Sequence, residues 1–168
     1  VMPFLRKMTS NCIYYPFLRS FHSIGGSSDA DFSMEFSVPP AQNTRSLTSI
    51  VATENAIPFA LGKQFKKALI HGNSGGFWGR RQTYSRCGFD TLIFLEEMKI
   101  KEIDGHWGIP DADALNIAAT WAEGTSKPFF AHIITISSHE PFTNVENINQ
   151  NMERTKRYSE AALYQSFR

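Results

Sequence analysis

The chain has 168 residues, of which 42% are hydrophobic and 20% are charged, and its formal net charge is +1. This composition is typical of a globular chain with a sizeable core and excludes a disordered one. The small net charge gives no reason to expect a nucleic-acid partner, and we find neither a bilayer-spanning apolar run nor a signal peptide in the sequence.

Hydrophobic periodicity and turn residues predict the elements in chain order. They are a helix at 3–8, a strand at 12–18, a helix at 28–36, a polar loop at 42–48, a strand at 67–71, a helix at 77–86, a strand at 90–95, an irregular charged segment at 99–108, a strand at 129–136 and a helix at 151–168. The last strand is a nearly continuous apolar run, which is typical of a strand buried on both faces. Strands that alternate with helices predict an α/β fold with a mainly parallel central sheet flanked by helices.

Two further helices carry more specific expectations. Asn55 is expected to cap a helix that runs to about Gly62, with Pro58 tolerated in its first turn. Another helix begins at Pro110 and ends at Gly124. Its expected core face consists of Leu115, Ala118, Ala119 and Ala122.

The two cysteines, Cys12 and Cys87, do not have metal-ligand spacing. We interpret them as buried thiols, with a single disulfide in an exported protein as the alternative.

Three polar clusters follow predicted strands, at 25–28, 71–73 and 137–141. Because ligands of open α/β sheets bind outside the carboxyl ends of strands, we expect the three clusters to meet at one sheet edge. They supply the Ser27 hydroxyl at a helix start, where anions are favoured, the His71 imidazole, and a cation from Arg80 or Arg81 on the following helix.

Each of these residues also has an ordinary structural interpretation. The serine-rich turn around Ser27 is compatible with simple helix capping, and His71 is compatible with a bond to the turn after its strand. Phe77 and Trp78 are compatible with core positions. Arg81 and Arg86 are compatible with surface charge, His106 with a solvated loop and His132 with a satisfied core position, whereas His22 is ambiguous.

Four segments resemble the extracytoplasmic catalytic domain of lipoteichoic acid synthase-like phosphoglycerol transferases, in the sulfatase branch of the alkaline phosphatase superfamily. They are residues 26–31 (GSSDAD), 70–73 with 77–80 (IHGN and FWGR), 107–111 (WGIPD) and 136–142 (ISSHEPF), in the order of the family's motifs. Serine in place of the family's threonine, and the short spacing from His22 to Ser27, indicate a relative and not the synthase proper.

The resemblance implies roles for five residues. Ser27 corresponds to the catalytic nucleophile, which is also a metal ligand, and His139 to a catalytic residue that contacts the phosphate or assists proton transfer. Trp78, Arg80 and His71 correspond to residues that bind the substrate phosphate.

The resemblance also implies a divalent metal, Mn²⁺, in the full-length enzyme. The family's acidic ligand would lie before Val1 and its Asp-His pair beyond Arg168. We therefore expect residues 1–168 to be one partial catalytic domain, incomplete at both ends, that binds metal poorly and is inactive alone.

The implied activity is transfer of a phosphoglycerol-type head group from a phospholipid to a glycan or polymer hydroxyl through a phosphoseryl intermediate. It would take place in the periplasm or at the cell surface, with a membrane anchor outside this chain. One alternative is a sulfatase or phosphodiesterase hydrolase, although Ser27 lacks the C/S-x-P-x-R context of sulfatases. Another is a non-catalytic binder of an anionic glycan or lipid head group.

Overall fold

A computed structural model describes residues 3–18, 26–41, 46–49, 52–100, 107–137 and 139. The chain divides into two units, Val1–Ser49 and Ile50–Arg168, which are described in turn. The predicted helix at 151–168, together with His22 and His106, lies outside the described residues.

The first unit begins with helix α1 (Pro3–Met8), as predicted, followed by a 3-10 turn at Thr9–Asn11. The predicted strand at 12–18 is wrong: these residues are irregular, and Phe17 and Leu18 are 92% and 83% exposed. The segment pairs with no other strand in the described part of the chain, and Pro16 has no N–H to donate to a ladder.

Helix α2 (Ser27–Phe36) confirms the second predicted helix and starts one residue earlier than expected. It ends at Ser37, which has φ 56° and donates its backbone N–H to the Ser33 carbonyl. Of the predicted polar loop at 42–48, the described part is a 3-10 helix, Ser46–Ser49, which contacts α2 and in which Leu47 is fully buried.

The second unit contains a three-stranded parallel sheet in the order β2-β1-β3, which confirms the predicted sheet type. Its strands are β1 (Lys66–His71), β2 (Thr91–Ile93) and β3 (Phe129–Ile134), and β1 lies in the centre. The expectation that β3 is buried on both faces is wrong for the described sheet, because β3 forms its edge and most of its residues are half-buried.

The helices of this unit are α3 (Ile57–Ala60), α4 (Arg80–Tyr84), α5 (Leu95–Met98) and α6 (Asp111–Glu123). Pro58 lies in the first turn of α3 as expected, but Asn55 belongs to a preceding 3-10 turn and the N-cap is Ala56. The predicted helix at 77–86 is instead a 3-10 turn, Phe77–Gly79, followed by α4. No helix in the described ranges is both long and apolar enough to cross a membrane.

Helix α6 packs on the sheet through Ala118, which forms a core with Ala68 and Ile70 of β1. The predicted core face of α6 is wrong at Leu115, which is 49% exposed, and at Ala119, which is also exposed. The buried face of α6 keeps Ala118 from the predicted set. Its other members are Ala114, Ile117 and Trp121, each one position before a residue of that set.

Both cysteines are free thiols in this structure. Cys87 is buried and contacts the Thr83 carbonyl at 3.3 Å, whereas Cys12 is exposed and the expectation that it is buried is wrong.

Candidate functional site

The last residue of β1, His71, is buried at the carboxyl edge of the sheet. Its ring Nδ1 lies 3.0 Å from the carbonyl oxygen of Ile134, its register partner on β3. Because a carbonyl only accepts, Nδ1 carries the proton and Nε2 presents a lone pair. His71 therefore bonds the neighbouring strand β3 and not the turn after its own strand, so its expected structural partner is wrong. Its Nε2 is still an acceptor atom for a second partner.

That second partner is Arg80, whose Nη1 lies 3.4 Å from His71 Nε2. Burial lowers the pKa of His71 to about 4, the Ile134 bond opposes this shift, and the Arg80 charge adds to it. The imidazole is thus neutral at physiological pH and accepts from the guanidinium instead of repelling it.

The neutral state of His71 predicts a pH dependence of stability. The unfolded imidazole titrates near its ordinary pKa of 6.5 and the folded one near 4. His71 therefore stabilises the folded state fully above about pH 6.5. This stabilisation decreases by about 3 kcal/mol as the pH falls toward 4, because the unfolded imidazole binds a proton and the folded one does not. The measurement is urea unfolding of the wild type and His71→Asn from pH 7 to pH 4. The difference between their unfolding free energies should shrink on acidification, and a constant difference would contradict the assignment.

Arg80 and Arg81 are adjacent in sequence but have different environments. Arg80 is 2% exposed. Arg81 is half-buried, with a side chain that is 40% exposed, pairs with Glu96 at 3.0 Å and Glu97 at 2.9 Å, and lies over the Phe94 ring. Of the two candidate cations, Arg81 thus has the ordinary surface role, and Arg80 is the one beside His71.

The Arg81 cluster fixes the loop that follows β1. Glu96 accepts bonds from Ser74 Oγ at 2.7 Å and from the Gly75 N–H. Burial acts to raise the pKa of Glu96, but the bonds from Ser74, Gly75 and Arg81 outweigh it and lower that pKa to about 2. The carboxylate therefore remains charged and holds the loop against the start of α5.

An aromatic row lies along the same edge and consists of Trp78, Phe77, Trp107 and His139. The ring centroids are 5.5 Å apart between Trp78 and Phe77, 5.6 Å between Phe77 and Trp107, and 4.7 Å between Trp107 and His139. Phe77 and Trp107 are 37% and 39% exposed, so this row is a surface and not a core cluster.

The aromatic row begins at Trp78, in a segment between β1 and α4 whose backbone conformation is unusual. Trp78 has φ 57° and Gly79 has φ 64°, two consecutive left-handed residues that break the predicted helix. A left-handed Trp is uncommon, and such strain concentrates at functional sites.

The loops after β1 and before α6 approach each other closely at Gly108. The Ile109 N–H donates to the Gly72 carbonyl at 3.0 Å, and Gly108 has φ 154°. A Cβ at Gly108 would overlap the Gly72 carbonyl oxygen. Only glycine permits this approach, which brings Trp107 to the edge where His71 lies.

Gly108→Ala is therefore expected to destabilise the protein by about 3 kcal/mol, because backbone must move to relieve the overlap. Gly76→Ala is the matched control, because Gly76 is helical and its Cβ would meet only Ser74 Oγ, at 3.6 Å. Denaturant unfolding of the full-length protein measures both. Equal midpoints for the two variants would contradict the close approach.

In the first unit, Ser27 is the exposed first residue of α2. The N-cap is Gly26, with φ −82° and ψ 151°, and its carbonyl accepts the Asp29 N–H at 3.0 Å. Within the described residues, no side-chain bond caps the helix. The capping interpretation of the serine-rich turn is thus not what the structure has, and the Ser27 hydroxyl is presented at a helix start.

The described residues contain no group of three or more His, Cys, Asp or Glu side chains that could hold a metal ion. Ser27 supplies one candidate oxygen ligand, and a single hydroxyl does not fit a divalent cation, which takes several ligands.

Two solved structures share the fold of the parallel sheet with its flanking helices. A lipoteichoic acid synthase, LtaP from Listeria monocytogenes, aligns with a TM-score of 0.70 at 24% identity, covering 84% of this chain and 36% of that one. Streptococcus pyogenes phosphoglycerol transferase GacH, solved in complex with sn-glycerol-1-phosphate, aligns with a TM-score of 0.54 at 19% identity, covering 74% and 35%.

The chain belongs to the sulfatase family, whose family model matches residues 2–166. It is similar to lipoteichoic acid synthase 2 of Bacillus subtilis strain 168, at 31% identity over 84% of this chain and 23% of that protein. It is also similar to lipoteichoic acid synthase of Staphylococcus aureus strain USA300, at 30% identity over 85% of this chain and 23% of that protein. The chain thus spans roughly a quarter of the length of these relatives, and the resemblance to lipoteichoic acid synthase-like proteins is confirmed.

Proposed function

We propose that this chain is part of a phosphotransferase that moves a phosphoglycerol-type head group from a phospholipid to a glycan or polymer hydroxyl. The observation that carries the proposal is the buried Arg80 beside a neutral His71, at an edge lined by exposed aromatic rings. The similarity to lipoteichoic acid synthases and to a phosphoglycerol transferase supports it.

In this proposal Arg80 binds the phosphate. A guanidinium presents several N–H donors in a fixed plane and stays charged, which suits a tetrahedral oxyanion. His71 orients Arg80 by accepting at Nε2 and, because it is neutral, adds no competing charge. Trp78 is proposed to contact the same phosphate.

In this proposal Ser27 acts as the nucleophile, and the transfer takes place in two steps. Its Oγ forms a bond to phosphorus while the phosphorus–oxygen bond to the diacylglycerol breaks, and the serine proton passes to the leaving oxygen. The acceptor hydroxyl then attacks the phosphorus of the glycerophosphoryl-serine, the bond from phosphorus to Ser27 Oγ breaks, and the acceptor's proton passes to Oγ, which regenerates the Ser27 hydroxyl. His139 is the proposed proton carrier, because an imidazole both accepts and donates near neutral pH.

Superfamily members generally depend on divalent metal ions, and we propose the same, with Mn²⁺ as the candidate, for the full-length protein. Since the described residues offer only Ser27 as a ligand, no step of the proposal passes through a metal. We further propose that the reaction takes place outside the cytoplasm, on a membrane-anchored protein.

The family match itself favours one competing function, hydrolysis of a sulfate or phosphate ester. Typical sulfatases need a Cys or Ser in a C/S-x-P-x-R context, where that residue is oxidised to formylglycine. Here Ser27 is followed by Ser28, Asp29, Ala30 and Asp31, without the proline or the arginine. The sequence context therefore favours an unmodified serine and phosphotransfer.

Mass spectrometry of the peptide containing Ser27 distinguishes the two functions. The full-length protein is incubated with a phosphatidylglycerol donor, quenched in acid and digested. Phosphotransfer predicts a glycerophosphoryl adduct on Ser27 and its absence in Ser27→Ala. A formylglycine at position 27 would instead establish sulfatase chemistry, and an unmodified serine with full turnover would contradict the covalent route.

A further inference from the structure

The turn that follows β3 is bonded to the first residue of helix α6, although the two are 25 and 26 residues apart in sequence. Asp111 Oδ1 accepts the Ile136 N–H at 2.6 Å and the Ser137 N–H at 2.9 Å. In return, the Asp111 N–H donates to Ser137 Oγ at 2.8 Å. Three bonds therefore fix the path that the chain takes as it leaves the sheet toward His139.

His139 continues this turn, since its backbone N–H donates to the Ile136 carbonyl at 2.9 Å. Its exposed imidazole contacts the Trp107 ring at a centroid distance of 4.7 Å and an interplanar angle of 44°. Trp107 and Asp111 belong to one segment, 107–111, which thus contacts the imidazole at one end and the supporting backbone at the other.

This arrangement matters because an exposed side chain on a turn has several accessible rotamers. Ordering an imidazole before substrate binds removes that entropy cost, and a displacement of about 1 Å costs about 10²-fold in rate. The backbone clamp limits where the Cα of His139 lies, and the indole face limits where its ring lies.

We propose that Asp111 and Trp107 are positioning residues for His139, with Asp111 holding its backbone and Trp107 holding its imidazole. This inference rests on the proposed function, in which His139 carries a proton. In this inference the side chains of Asp111 and Trp107 do not contact the substrate.

The test measures kcat and KM of the full-length protein with a phosphatidylglycerol donor. Asp111→Ala is expected to lower kcat by 10- to 100-fold, while KM changes less than threefold. Asp111→Asn keeps an oxygen acceptor and is expected to restore kcat to within about threefold of wild type. Asp113→Ala is the matched control, since Asp113 is an exposed residue in the same first turn and should leave kcat unchanged.

A double-mutant cycle separates positioning from a general structural role. If Asp111 acts through His139, Asp111→Ala has no further effect on kcat in a His139→Ala background. An undiminished additional loss would overturn the inference while leaving the proposed function intact. Full activity of His139→Ala alone would overturn the proton-transfer assignment and the positioning inference together.

The Trp107 contact has a spectroscopic readout that does not depend on turnover. The indole ring current should shift the His139 imidazole resonances upfield, and Trp107→Leu should remove that shift. Trp107→Phe keeps an aromatic face and is expected to retain a smaller shift and more of kcat. Identical His139 resonances in wild type and Trp107→Leu would overturn the contact.

Discussion

Ser27→Ala is expected to abolish turnover of the full-length protein, by roughly 10³-fold or more, since loss of a nucleophile costs up to about 10⁶-fold. The substitution removes only an exposed hydroxyl at the first residue of α2. Because that hydroxyl caps nothing, the stability of the protein should change by less than about 0.5 kcal/mol. Initial rates of lipid release, together with thermal unfolding, measure both quantities.

Two variants serve as controls for the Ser27 prediction. Ser27→Thr retains a hydroxyl and should recover measurable turnover. Ser33→Ala removes another hydroxyl from the same helix, one that bonds the Asp29 carbonyl at 3.0 Å, and should leave the rate unchanged. Retained activity in Ser27→Ala, with an unaltered protein fold, would refute the nucleophile assignment.

Arg80→Lys is expected to lower kcat/KM by about 10²-fold. Lysine keeps the positive charge but replaces a planar set of N–H donors with a point charge, so the paired bonds to phosphate and the bond to His71 Nε2 cannot all form. Hydrogen bonds to charged groups contribute roughly 1.5–3 kcal/mol each, which corresponds to about 10- to 100-fold. Steady-state kinetics with the phospholipid donor measure the loss.

The matched control is Arg81→Lys, the same substitution one residue along α4. Arg81 pairs with Glu96 and Glu97 at the surface, and such exposed pairs contribute about 0–1 kcal/mol. Its kcat/KM should stay within threefold of wild type. Equal losses in the two variants would mean that position 80 has no special role in binding.

Local sequence patterns predicted the sheet well, because burial selects apolar residues whatever the topology. The apolar residues Ala68, Leu69 and Ile70 form the buried centre of β1, and the helix–strand alternation indicates a parallel sheet. The strand predicted at 12–18 is wrong because an apolar composition indicates burial but does not show that a partner strand is present. A strand also needs a neighbour with which its backbone shares hydrogen bonds. In α6 the many small apolar residues made two neighbouring faces nearly equivalent by pattern alone, so Leu115 was placed on the wrong one.

The candidate site was harder to predict, because its geometry depends on contacts between distant residues. The motifs identified His71 and Arg80, but only the register of β1 against β3 shows that Ile134 fixes the tautomer of His71. The left-handed Trp78 has no local signal apart from the glycine that follows it. Likewise, Asp111 bonds to the turn after β3, which is far away in sequence. Hydrophobic periodicity describes local structure and does not predict such a contact.

A crystal structure of the full-length protein with sn-glycerol-1-phosphate bound tests the central claim most directly. The account predicts that one phosphate lies within hydrogen-bonding distance of the Arg80 guanidinium and the His139 imidazole at the same time. A phosphate bound elsewhere, or these two side chains on separate surfaces of the protein, would contradict it.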